Sequence, residues 1–284
     1  MPAYRRLLET PAGGGGKRHA ERRGLFLARI PGLSPGVSAV ALAEVRLVLR
    51  TVRGKSAVFF TPVALGVLAF MGAQGDRFDP GGSALPTLGG ALLPWATALF
   101  SVIALHPFLL NQFATDRSGL SLQFLSPLSD RDLVRGKAAG LTLLWGLTFT
   151  LCAGVGIALG PRAHPAYWVS AAIGAASILA LLMPAAATFS ALFPKAADLG
   201  RIGRSGNPHP TASLVGGLLS LALGLPPAGL AALGFAAFKS PALALLLVSV
   251  WAAIALAAGY ALLGPASRVV TRRRENLALV AEGR

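Results

Sequence analysis

Six apolar segments, near residues 56–72, 87–110, 138–160, 166–193, 212–236 and 241–264, leave this chain few folds to choose from. Each approaches the roughly 20 residues that carry a helix across a bilayer. They predict an all-α membrane protein with six transmembrane helices. Composition agrees: 54% of the residues are apolar, 13% are charged, and mean hydropathy is positive, which is not the make-up of a soluble domain.

The first segment is short and contains Pro62, so its start draws on the helix before it. Spans two, four and five hold Pro94, Pro107, Pro184 and the pair Pro226-Pro227. These remove backbone donors and kink helices unless neighbours satisfy the freed carbonyls. Gly140, Gly146, Gly154, Gly156 and Gly160 in span three permit close helix contact. The single cysteine, Cys152, allows no intrachain disulfide and no thiolate cluster, and reads as a packing residue. No Asp, Glu, Lys or Arg falls in the middle of a span. A proton- or sodium-coupled carrier usually keeps an intramembrane carboxylate, so that class is disfavoured. His106, beside Pro107, reads as a helix-interface residue.

Ahead of the spans, residues 1–36 show no sustained period and predict a mobile cytosolic tail. Gly13 to Lys17 imitates a phosphate loop, but Pro11 and Arg18 stand where Gly and Ser or Thr are needed. Arg22-Arg23 imitates an export signal whose apolar region Arg29 cuts short. Residues 37–55 predict an interfacial helix: at 100° per residue Arg46, Arg50 and Arg53 share one stripe, with Val40, Leu47, Val48, Leu49 and Val52 away from it. Glu44 falls on the apolar side. Either it snorkels to the interface or it pairs with a cytosolic loop.

The net charge of +15 is what the positive-inside bias produces beside apolar spans, so nucleic acid is not an expected partner. With the N-terminus inside, residues 1–55, 111–137, 194–211 and 265–284 carry 23 of the 26 Lys and Arg; only Arg77, Arg162 and Lys239 fall outside. Both termini are therefore expected in the cytosol, the last 20 residues as a basic tail.

Residues 111–137, between spans two and three, hold the only ordered polar pattern in the chain. Ser129-x-x-Asp132 is a capping box opening a helix that runs through Leu133-Val134-Arg135-Gly136-Lys137 into span three. Before it, residues 119–125 can form one to two turns exposing Leu120, Phe124 and Leu125, and Pro127 keeps the two helical pieces apart. Such a rigid surface helix suits docking of a soluble partner. Catalysis finds no comparable pattern. Gly203-Arg204-Ser205-Gly206 has an intramembrane-protease shape but sits in a loop beside Asn207-Pro208-His209-Pro210, and no spacing suits a metal.

The loop also resembles something known. Asn111, Phe113, Asp116-Arg117-x-Gly119-Leu120, Leu125-x-Pro127-Leu128-Ser129 and Asp132-Leu133-x-x-Gly136-Lys137 are similar to the cytosolic loop of permease subunits of type-2 ABC exporters. Glu44-x-Arg46-Leu47 before span one, cytosolic termini and six spans resemble that family too, over about residues 37–264. The resemblance implies a coupling helix at 120–127 docking on a separate ATPase subunit, with Asp132 and Lys137 at the foot of span three. It also implies a second permease copy or a related permease, and a prokaryotic inner membrane. ATP and Mg would belong to the ATPase; no cofactor is expected on this chain, which reads as a transport subunit and not an enzyme. The outer loop between spans five and six is very short here, unlike members with a large external element. The residues alone leave open a second reading, a non-transporting membrane scaffold or assembly factor that recruits its partner through the same loop. Spans lined with Ala, Leu and Gly lean toward an amphipathic or lipid-like cargo.

Overall fold

A computed structural model of the chain describes residues 29–67, 70, 92–159, 163–196, 199 and 207–281. Among these, all regular structure is helical, and five helices are long and apolar enough to cross a membrane: Leu92–Leu109, Asp130–Leu159, Pro165–Leu192, Pro210–Ala237 and Pro241–Arg272. This is the build of a multi-pass membrane protein. The first expected span is helical over 56–67, and its remainder lies outside the described residues. So do the glycine run, the twin arginines and the Gly203-to-Gly206 turn.

Helix α1, Pro35–Arg50, begins two residues before the expected 37, because Ser34 caps it and Pro35 occupies the first turn. The expected continuous helix to Arg53 is broken. Thr51 is extended and accepts from Gly54 N at 3.1 Å, opening α2, Val52–Lys55, which passes into a π-helical turn at Ser56–Phe60. Arg46 and Arg50 therefore share a helix that Arg53 does not. Arg50 is exposed and Arg46 half-buried, while the Arg53 guanidinium donates to the Asn207 side chain. Val37, Val40, Ala41, Glu44 and Val48 of α1 are buried, and the helix packs chiefly on α6.

Helix α3, Leu92–Ala104, and the short α4, His106–Leu109, meet at Leu105, a one-residue break that leaves Pro107 in the first turn of α4, where its missing N–H forfeits no helical bond. A 3-10 turn at Ala114–Asp116 leads to α5, Ser118–Leu125. Helix α6, Asp130–Leu159, is one piece from the capping box onward. Helices α7, Pro165–Leu192, and α8, Pro210–Ala232, run uninterrupted through Pro184 and Pro226-Pro227. Helix α9, Pro241–Arg272, passes eight residues beyond its expected end and is followed by α10, Arg274–Ala281. The C-terminal segment is thus a helix folded onto α5 and not a tail. The main contact is α7 on α9, where Gly259 lets the backbones meet: a Cβ there would lie 2.2 Å from Ala180 O.

Outward rows such as Leu214, Leu218, Leu221 and Leu225 on α8 remain exposed. Acyl chains are as apolar as leucine, so burying such rows is not required in a bilayer.

Candidate partner-docking site

The site is built where α1, the 111–137 loop and α6 converge. Gly136 and Gly140, one turn apart on α6, face α1. A Cβ on Gly136 would lie 2.5 Å from Val40 Cβ, and one on Gly140 2.7 Å from Ala41 O and 2.8 Å from Glu44 Cβ. The missing side chains let the helices approach closely enough to enclose charge. Lys137, fully buried, places Nζ 2.6 Å from Glu44 Oε2 and 2.6 Å from Asp116 Oδ2. One ammonium thus ties α1, the loop and α6 together. Glu44 does not snorkel; it takes the other course open to it and pairs across to this loop.

Two carboxylates around one ammonium leave a net negative cluster out of water. Burial, above all, pushes the Glu44 carboxyl up from 4.5 to about 7; the attraction of Lys137 opposes this and the neighbouring Asp116 adds to it. Glu44 Oε1 is buried without a hydrogen-bond partner, consistent with a carboxyl poised to take a proton.

The loop is clamped at both ends. At its start, buried Asn111 copies a backbone pairing: Nδ2 donates to Lys195 O at 2.7 Å and Oδ1 accepts from Lys195 N at 3.3 Å. At its end, Asp132 N donates to Ser129 Oγ at 3.1 Å, the N-cap bond of the expected capping box, while that hydroxyl donates to Asp132 Oδ2 at 2.7 Å, a contact between the two side chains and not the box's return bond to the backbone. Asp130 accepts from Thr271 Oγ1 at 2.8 Å, fixing the same turn to α9. Between the clamps, Arg117 turns the chain into α5 with φ at 51° and is exposed. Ser126 is extended, as a residue before proline prefers, and Pro127 is exposed.

Helix α5 presents a different face from the one expected. Leu120 is fully buried and Phe124 only 9% exposed, in a cluster with Phe113, Leu133, Val134, Leu277 of α10 and Val270 of α9. Arg274 caps this packing, its guanidinium 4.8 Å from the Phe124 ring centroid and donating to Phe124 O. Of the three residues expected outward, only Leu125 is so, at 83% exposed; Leu122, at 70%, joins it. Helical spacing alone permitted either face. The missed signal is the apolar pair Leu277-Ala278 after Arg274, which covers one side of α5.

The three histidines among the described residues serve structure. His106 Nε2 lies 2.9 Å from Ser220 Oγ, joining α4 to α8, and His164 and His209 cap α7 and α8 through Nδ1. Cys152 is buried in a small apolar cluster with Trp168. Compared with known proteins, the chain matches no family model, no curated sequence and no solved structure.

Proposed function

We propose that the protein is the membrane-spanning permease subunit of an ATP-driven exporter and that α5 is the element through which a separate ATPase subunit drives it. The observation that carries this reading is the two-sidedness of α5. One side is fixed by Leu120, Phe124 and Arg274, and the other holds Leu122 and Leu125 out of the fold. Exposed apolar side chains on a short helix with locked ends suit docking into a partner's groove. Force applied there passes through the Ser129–Asp132 cap and Lys137 into α6 and α1 together, so a closing pair of ATPases would tilt spanning helices as rigid bodies.

On this reading α1 lies at the cytosolic interface with the exposed Arg50 toward headgroups. A sixth span is completed by the segment from residue 56, both termini are cytosolic, and the membrane is a prokaryotic inner membrane. A second permease copy or a related permease closes the pathway, and ATP and Mg stay on the ATPase.

The test is purification of the tagged chain from its native membranes, identification of any retained P-loop ATPase by mass spectrometry, and efflux from vesicles holding the purified complex. Wild type should retain the ATPase and show ATP-dependent efflux; Leu122→Asp combined with Leu125→Asp should lose both while remaining folded. An ATPase retained without any efflux would instead support the scaffold. If no ATPase is ever retained, the proposal fails.

A further inference from the structure

A cavity of about 610 Å³ opens between the turn before α1, the first turns of α6, the middle of α7 and the stretch of α9 from Leu256 to Leu263. Its volume lies within the roughly 300–1,000 Å³ typical of small-ligand sites. One end is polar, with Arg135 and Tyr260. The body is apolar or small, with Ala139, Met183 and Leu256 on its walls.

Arg135 is the informative residue. Its Nη2 donates to Tyr260 Oη at 2.6 Å and its guanidinium stands 5.0 Å from the Tyr260 ring centroid. Its Nε is buried without a hydrogen-bond partner, and among the described residues no carboxylate pairs with it. Asp132, the acid on the same wall, is already engaged in the capping box. A cation on a cavity wall, partnered only by a phenol, offers its charge to whatever enters.

The entrant must also fill apolar volume. Thr142, on the wall, is seven residues beyond Arg135, about 10 Å deeper along the helix at 1.5 Å per residue. On the α9 side, Leu256 and Tyr260 are 55% and 60% exposed, so the cavity is reached sideways from the bilayer. Arg135 lies in the second turn of α6, and Tyr260 lies near the close of α9's apolar run, ahead of Arg268; tyrosine and arginine so placed mark headgroup level, and basic pockets between spanning helices suit anionic headgroups. We propose that this cavity binds one anionic phospholipid from the leaflet on the Arg135 side, its phosphate on Arg135 and the Tyr260 hydroxyl and an acyl chain lying between α6 and α9. This site does not depend on the exporter reading.

The full-length chain, purified and delipidated, is titrated with phosphatidylglycerol and phosphatidylcholine of identical chains, and bound lipid is counted by native mass spectrometry. Phosphatidylglycerol should be preferred by about ten-fold, the scale of one charge-assisted contact. Arg135→Gln should erase the preference, Tyr260→Phe should reduce it, and Ala139→Leu, which fills the apolar end, should lower retention of both lipids. Excess inorganic phosphate should leave the lipid in place. Equal binding of both lipids by wild type, an unchanged preference in Arg135→Gln or in Tyr260→Phe, or displacement by phosphate would overturn the proposal. No ATPase enters the measurement, so its outcome is separate from that of the transport assay.

Discussion

Lys137 and Arg135 stand two residues apart on α6, yet their surroundings are opposite. Successive residues turn by about 100°, so the two cations point to different sides of the helix. Lys137 enters the α1 seam, where Gly136 and Gly140 bring the backbones together and two carboxylates meet the ammonium at 2.6 Å each. Arg135 enters the α9 side, where small residues leave a cavity and, among the described residues, no acid pairs with it. Small residues thus do two jobs on one helix: on one face they admit a neighbouring backbone, on the other they leave room. The first face is spent on holding the fold and the second is available to a ligand.

Breaking the seam should have the largest effect. Lys137→Ala leaves Glu44 and Asp116 buried together, and losing one partner of a buried pair typically costs about 3–5 kcal/mol. Cys152, the single and buried thiol, makes the check direct, because its labelling by a thiol dye during heating reports unfolding. Gly140→Leu should match that loss by forcing α1 away from α6.

Asn111→Ala comes next. It strips two partners from the Lys195 backbone, and buried polar groups left unmade cost about 1–3 kcal/mol. A lowered melting temperature with α6 intact by hydrogen exchange would locate the damage at the loop's entry.

The pH response is smaller and has a definite sign. Glu44 titrates near 7 in the fold against 4.5 in its ordinary state, so the folded protein holds that proton more firmly than the unfolded one. Its contribution to stability is complete below about 4.5 and is lost as pH rises through about 7. The dye-detected melting temperature should therefore be higher at pH 5.5 than at pH 8, and Glu44→Gln should flatten the difference.

Smallest of all in stability are changes on the open faces. Arg135→Gln and Leu125→Asp should each move folding by about 0.5 kcal/mol or less, as surface substitutions do, while each removes a binding property. If Arg135→Gln proves as destabilising as Lys137→Ala, the distinction between the two faces is lost.

What the sequence made legible follows from local chemistry. The apolar runs mark α7 and α8 closely and α9 as far as 264, and Ser129-x-x-Asp132 locates the start of α6, because its N-cap bond joins residues three apart. The Thr51 break was hidden, since Val37 to Arg53 keeps helical period straight through it and only the Thr51–Gly54 cap, with Gly54 pressed against Val48, ends the helix. Local sequence leaves Glu44 between two readings because its partner, Lys137, lies 93 positions away. Leu120 and Phe124 were placed on the wrong side because the covering helix, α10, is contributed by a segment that charge counting had marked as a tail.

On the proposed function, α5 meets an ATPase through its exposed face and not through the buried one. A photocrosslinking amino acid placed at Leu125, and in a second strain at Leu120, tests this in intact membranes. The expected result is an adduct at Leu125 whose partner is identified by mass spectrometry as a P-loop ATPase, with none at Leu120. An ATPase adduct at Leu120 alone, or none at Leu125, would contradict it.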